Sequence, residues 1–263
     1  MLAMLDTRKA LLRGAFFIAW LLAPPVYADV CSLAGRSEPV AIGHVIDGDT
    51  LQLQDGRRLR LIGINTPEIG RRGQISEPFA QAARRRLQQL TEAKGLHLAV
   101  GLDGKDHYGR TLGHLFTAEG DNIEALLLRE GLGYALAVPP NVNLVDCHRL
   151  AEREARQGSE GVWQRSPVIA AGEVASGGFQ IIRGRVESVS KAGKFYWLEL
   201  DGPVVMRIAI NDSQYVGSLP IETLTGSEVE ARGWVVDRKR GALKPGHKPF
   251  MLPLGHALML EVL

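Results

Sequence analysis

Alternation of apolar and polar side chains with a period of two recurs along most of the chain, and helical spacing interrupts it in three places. Strands are expected at Val40–Ile46, Thr50–Leu53 and Arg58–Ile64, with Asp55-Gly56 as a tight turn between the last two. A helix then runs from Glu77 to Leu90, with Ser76 as its N-cap and Pro78 tolerated in the first turn. Further strands fall at Leu96–Gly101 and Thr111–Phe116. Asp121 with Glu124 gives a capping-box-like start to a second helix, which stops at Gly131. A third helix spans Leu144 to Gln157, where Leu144, Cys147, Ala151 and Ala155 recur at helical spacing and face inward.

Residues 166–178 lack periodicity and read as a linker between two units, 29–165 and 179–263. Beyond the linker lie five candidate strands: Gln180–Ser190, Phe195–Leu200, Val204–Ile210, Val229–Val236 and Leu258–Val262. Five antiparallel strands in so short a stretch fit a small Greek-key barrel of OB type. One face of these strands is apolar, from Ile182 and Val186 through Leu198, Met206 and Ile208 to Val229, Ala231 and Val235. The other carries Arg183, Arg185, Phe195, Trp197, Arg207, Arg232 and Trp234, interspersed with Glu187, Glu199, Glu228 and Glu230. Arginines among aromatics suit a single-stranded nucleic acid, but the glutamates repel one. A sheet surface half covered by the first unit is the other reading.

At the N-terminus, Arg8, Lys9 and Arg13 precede the apolar stretch Ala15 to Leu22, and Val26-Tyr27-Ala28 resembles a cleavage site. Residues 1–28 therefore read as a secretory signal peptide, too short in its apolar part for a membrane span. A buried N-terminal helix is the alternative. The chain is expected to be exported, periplasmic or secreted, with no membrane association once the leader is removed.

Composition then excludes more than it assigns. The chain has 263 residues, 45% hydrophobic and 23% charged, which rules out collagenous, low-complexity and wholly disordered classes. Setting aside three cations of the leader and its one anion, Asp6, from 31 basic and 29 acidic residues leaves 28 of each. Net charge is thus silent about nucleic acid. Local clusters such as Arg57, Arg58 and Arg60, or Arg84 to Arg86, are either contact surfaces or solvated faces. Two cysteines remain after the leader, Cys31 and Cys147. An even count in an oxidising compartment favours a disulfide, which would stabilise the fold by about 4–5 kcal/mol through so long a loop. Two unrelated buried thiols are the alternative.

Three segments concentrate polar chemistry: Val45-Ile46-Asp47-Gly48-Asp49-Thr50, Arg60-Leu61-Ile62-Gly63-Ile64-Asn65-Thr66-Pro67-Glu68 and Asp106-His107-Tyr108-Gly109-Arg110. The first is a corner between strands. In the second, a strand ends at Asn65 and Pro67 takes the chain out of the sheet. Singly, each is compatible with an ordinary turn.

Together, in this order and spacing, the three segments resemble the staphylococcal nuclease (thermonuclease) family over roughly residues 40 to 165. The resemblance implies a mainly β, α+β chain: a five-stranded OB-type barrel with three helices, followed here by the second, OB-like barrel. It also implies Ca²⁺-dependent phosphodiester hydrolysis of DNA or RNA. Under it, Asp49 ligates Ca²⁺ directly, Asn65 through its amide oxygen and Thr66 through its backbone carbonyl, all hard oxygen donors. Asp47 shapes the corner or acts through water. Glu68 is the general base, and Arg60 and Arg110 grip phosphate oxygens with planar forks. Tyr108 packs on, or hydrogen-bonds to, a terminal phosphate. His107, His114 and His148 show no metal-ligand spacing and are assigned no catalytic part.

The chain departs from the family pattern at two points. Asn65 stands where the family has a second acidic ligand, removing one negative charge from the metal site. Leu136, Ala137 and Val138 stand where the staphylococcal enzyme presents tyrosines to the nucleotide. The expected function is an exported endonuclease acting on DNA and/or RNA, with no obligate protein partner indicated. The rivals are a nucleic-acid-binding module without cleavage and a protein-interaction scaffold, and only the nuclease accounts for Arg60, Glu68 and Arg110 together.

Overall fold

Strands β1 (Glu38–Val40) and β2 (Ile42–Val45) are two arms of one bent segment, and that bend closes a barrel. β1 pairs antiparallel with β6 (Leu96–Lys105), setting Val40 opposite Leu96. β2 pairs antiparallel with β3 (Thr50–Leu53), setting Val45 opposite Leu51. Between these edges the sheet runs β6, β7 (Thr111–Phe116), β4 (Arg58–Leu61), β3. β4 and β7 are its parallel pair. The computed structural model describes residues 31–263 apart from 33, 34, 242 and 244, so the expected leader lies outside the described residues.

Leu51, Leu59, Leu61, Leu98 and Leu115 alternate inward along these strands and are fully buried. Each contributes about 1.5–3 kcal/mol by leaving water. Helices α1 (Ala80–Thr91), α2 (Ile123–Arg129) and α3 (Val145–Gly158) add Leu87, Leu127 and Ala151 to the same core. A short ladder joins β5 (Ile64–Asn65) to β8 (Tyr134–Ala135), with Asn65 opposite Tyr134. Cys31 and Cys147 are bridged, tying the N-terminal segment to α3.

A second barrel is built from β10 (Gly178–Ala192), β11 (Phe195–Leu200), β12 (Val204–Ala209), β13 (Glu228–Asp237) and β14 (Phe250–Leu254). Its order is β10-β11-β12-β14-β13, and a further β13–β10 pairing closes it. β12 and β14 are parallel. Both barrels therefore follow one circuit, first-second-third-fifth-fourth and back to the first, with third and fifth strands parallel. This is the OB arrangement expected twice from the sequence.

Several local expectations are corrected. The fifth strand of the second barrel is Phe250–Leu254, not the C-terminal run, which forms β15 (Leu260–Val262) on the outer edge of β13. The 166–178 segment is no free linker: β9 (Val168–Ala170) pairs parallel with β10, and Ala171 and Val174 are buried in the second core. Helix α1 starts at Ala80 behind Phe79, which takes a left-handed backbone (φ 66°). Ser76 does not cap it, because its hydroxyl accepts the amide of Gly70. The α2 cap is Asn122, whose side chain accepts from the amide of Ala125. Glu124 lies buried with its carboxylate on Asn122 and His114, not in a capping box.

The barrels share one boundary. Leu136, Ala137 and Val145 of the first unit belong to the core of the second. Around them, Arg156 of α3 forks onto Glu230 of β13 at 2.7 and 2.8 Å, and Arg232 of β13 bonds Glu152 of α3. No helix of the described residues is long and apolar enough to cross a membrane.

Candidate active site

The Asp47-Gly48-Asp49 corner is closed by the amides of Ile46 and Asp47, which both donate to the carbonyl of Thr50. A Cβ on Gly48 would lie 2.6 Å from Thr66 Oγ1 and 2.7 Å from Ala83 Cβ. Only glycine lets the corner press against Thr66 and α1. That approach puts Asp49 Oδ2 at 2.9 Å from the Thr66 amide and 3.1 Å from its hydroxyl, both donating. Asp47 Oδ1 accepts the Asp49 amide at 3.3 Å. Burial, and then the neighbouring Asp49 charge, push the Asp47 carboxyl up to about 6.

Arg60 leaves β4 on the same side. Its Nη2 lies 3.1 Å from Asp49 Oδ2 and 3.4 Å from Asn65 Oδ1, while Nη1 donates to the carbonyls of Leu61 and Ile64. The guanidinium is thus fixed by its own strand end, beside the acidic corner, and pairs with Asp49, not Glu68. Asn65 and Thr66 are buried next to it.

Glu68 sits on the loop after Pro67. Its amide donates to Glu77 Oε2 at 2.9 Å, and the Glu77 amide returns a bond to the Glu68 carbonyl at 3.0 Å. This closure explains why Ser76 and Glu77 were unavailable to start α1. Burial raises the Glu68 pKa, with Asp49 and Glu77 adding to it and Arg60 and Arg71 opposing. A carboxylate of raised proton affinity is a better base.

The third segment turns at Gly109 (φ 77°). Asp106 Oδ1 accepts the amides of Tyr108 and Arg110 at 2.9 Å, and Oδ2 accepts Arg110 Nε at 2.7 Å. Burial works against that charge, but the bonds from Arg110 outweigh it and hold Asp106 below the usual carboxylate range. Both Arg110 Nη groups have no hydrogen bond to the described residues, so the anchored fork can meet an oxyanion. Tyr108 is 74% exposed, with the Arg110 guanidinium 5.4 Å from its ring centre.

All these groups line one cleft of about 1260 Å³. The structure places Asp49, Asn65, Arg60, Glu68, Tyr108 and Arg110 on its lining, and Thr66 lies just behind Asp49. The lining also holds Asp47, Glu77, Asp103 and Asp106, giving six carboxylates against the guanidiniums of Arg60, Arg71 and Arg110. Such a surplus of negative charge would repel a polyanion unless a cation entered with it. Among the described residues no three His, Cys, Asp or Glu side chains form a metal cluster. Close to Asp49 lie the Thr66 amide and hydroxyl, which donate to it, and the Asn65 amide oxygen, which shares Arg60 Nη2 with it. Carboxylate and amide oxygens are the hard donors that a cation such as Ca²⁺ would take.

Sequence reasoning missed Asp106 as the Arg110 anchor, Glu77 as the loop clasp and Trp234 as a wall of this cleft. Asp106 and Glu77 lie within or beside the motifs and were legible in principle. His114 and His148 are buried outside the cleft, linked through Glu124 and Asn122, and burial holds His148 well below its ordinary pKa. The polar face of the second barrel divides. Arg183, Glu230 and Arg232 serve the boundary with α3, while Arg207 lies over the Phe195 ring elsewhere, at 4.7 Å.

Residues 58–165 match the family model described as staphylococcal nuclease homologue. The chain is 32% identical to the thermonuclease of Staphylococcus intermedius over 133 residues, 49% of this chain and 79% of that protein. It is 30% identical to endonuclease YncB of Bacillus subtilis over 132 residues, 48% of this chain but only 62% of that protein. An uncharacterised endonuclease of Escherichia coli is 27% identical over 159 residues, 59% of this chain and 90% of its own length. The family match stops before β9, so the second barrel lies outside it.

Proposed function

The chain belongs to the staphylococcal nuclease family, and from that premise we propose that it is an exported, Ca²⁺-dependent endonuclease that hydrolyses phosphodiester bonds in DNA and/or RNA. The observation that carries this reading is the convergence of Asp49, Arg60, Glu68 and Arg110 in one cleft. A binding module has no use for a carboxylate of raised proton affinity set among fixed guanidiniums.

In this reading Asp49, Asn65 and the carbonyl of Thr66 hold Ca²⁺, with Asp47 alongside. When bound, Ca²⁺ would supply Lewis acidity toward the phosphate and compensation for the surplus carboxylate charge. Glu68 takes a proton from the attacking water as its oxygen forms the new P–O bond and the opposite P–O bond breaks. Arg60 and Arg110 donate to the non-bridging oxygens, whose negative charge grows in the transition state. Arg110 is oriented by Asp106 through Nε with its fork open, whereas Arg60 exchanges bonds to Asp49, Asn65 or the strand-end carbonyls for bonds to the phosphate. Tyr108 packs at the mouth beside the phosphate. The Cys31–Cys147 bridge supports export, since such bonds persist in oxidising compartments.

The test is incubation of the mature chain with plasmid DNA and with RNA, in Ca²⁺ and in chelator. Ca²⁺-dependent nicking and fragmentation are expected. Intact substrate with a folded protein in Ca²⁺ would return the chain to the binding-module reading.

A further inference from the structure

We propose that Trp234 is a base-stacking platform by which the second barrel completes the nucleic-acid cleft of the first. The inference rests on the nuclease reading above and adds to it a substrate contact outside the family-matched region.

Outward side chains on β13 recur at every second position, and the row docks in sequence. Glu230 meets Arg156, Arg232 meets Glu152, and Trp234 comes next, lining the catalytic cleft. Each of the first two has a partner on α3. Trp234 instead remains 45% exposed, unusual for the largest of apolar side chains. Its exposure is not isolated. Ile75, Tyr108 and Val138 are also large, exposed and on the same cleft lining, so the cleft combines a charged floor with an apolar rim. Rings for bases beside guanidiniums for phosphates suit single-stranded nucleic acid, once the proposed Ca²⁺ offsets the six carboxylates of the lining.

The ring is also held in place. Phe179 meets Trp234 edge-on with centroids 5.6 Å apart, stacks on Tyr134 at 5.4 Å, and Tyr134 meets Trp163 edge-on at 5.6 Å. This row crosses from one barrel to the other, and Tyr134 pairs with Asn65 on the β5–β8 ladder. Trp234 is therefore fixed relative to the catalytic loop, which a stacking surface needs if it is to position a base.

The experiment compares cleavage of a thymidine decamer with that of an abasic decamer of the same backbone length. Trp234→Ala should raise KM for the base-bearing decamer by about 5- to 160-fold, the range expected for loss of one stacked base. It should leave KM for the abasic decamer unchanged, and Trp234→Phe should restore most of the difference. An unchanged KM for the thymidine decamer overturns the proposal. So does an equal rise for both decamers with a lower melting temperature, which would make Trp234 a brace between barrels. Absence of cleavage by the wild-type protein in Ca²⁺ would count against the nuclease reading instead. Trp234 is then judged by the same comparison in fluorescence anisotropy of the labelled decamers.

Discussion

Arg232 on the second barrel donates to Glu152 Oε1 on α3 at 2.7 Å, and the same oxygen accepts the amide of Ala135 at 2.7 Å. Ala135 pairs with Ile64, next to Asn65. One carboxylate thus ties the accessory barrel to the strand that borders the candidate cleft. Neither barrel is an appendage to the other.

This pair gives the first prediction. Both side chains are nearly buried, so Arg232→Ala leaves Glu152 with an uncompensated charge away from water. Breaking such a pair from one side costs about 3–5 kcal/mol. Glu152→Leu combined with Arg232→Leu should recover much of that loss. Urea midpoints of the wild type, the single variant and the double variant test it; a single variant as stable as wild type would show the contact to be idle.

A second prediction concerns acid. Burial disfavours the Glu230 charge, but Arg156, Arg183 and Arg232 surround it and hold its pKa below the ordinary value. A depressed folded pKa means stability that is complete above the unfolded value, about 4.3. It is lost as pH falls through the lower folded value. Glu230→Gln should therefore be less stable than wild type near neutrality, and the two curves should converge in acid. Parallel stability curves across that range would remove Glu230 from the acid response.

The proposed catalytic trio should separate by its two kinds of cost. Arg60→Ala, Glu68→Gln and Arg110→Ala should each lower turnover by about 10²–10³ or more. Arg60 is also bonded to Asp49 and to two strand-end carbonyls, so its loss should lower the melting temperature as well. The Glu68 carboxylate makes no hydrogen bond to the described residues, so Glu68→Gln should melt near wild type, whereas Arg110→Ala loses the Nε bond to Asp106 and should melt somewhat lower. Near-normal turnover in any folded member removes its assigned role.

What was legible in the sequence follows the range of the forces involved. The Asp47–Thr50 corner, the Arg60–Glu68 strand end and the Asp106–Arg110 turn are built from neighbours in the chain, and the structure places them as the motifs imply. Helix starts failed where a local signal was taken by a distant partner: Ser76 serves Gly70 and Glu77 serves Glu68. Strand β14 was hidden by Pro253, which lacks an amide hydrogen and reads as a strand breaker, although it faces Arg207 in the parallel β12–β14 ladder. The roles of Trp234 and Arg232 depend on how two barrels dock, and no periodicity within one strand reports that.

The last prediction uses the neutral residue of the proposed Ca²⁺ site. Asn65 is buried beside Asp49, with Oδ1 3.4 Å from Arg60 Nη2, a long bond that leaves the amide oxygen able to serve a cation. Asn65→Asp replaces an amide dipole with a full charge at almost constant shape. Ligand charge count tunes Ca²⁺ affinity, so the Ca²⁺ concentration for half-maximal cleavage should fall. Without metal, the added carboxylate joins Asp47, Asp49 and Glu68 on the cleft lining. Burial, and then neighbouring carboxylates, already raise the proton affinity of Asp47 and Glu68, with Arg60 and Arg71 opposing at Glu68. The metal-free variant should therefore melt lower than wild type, and added Ca²⁺ should restore more of its stability than it does for the wild type. Isothermal titration and thermal melts with and without Ca²⁺ read both effects independently of cleavage. Identical Ca²⁺ binding and identical Ca²⁺-induced stabilisation in the two folded proteins would show that residue 65 only fastens the strand end to Arg60.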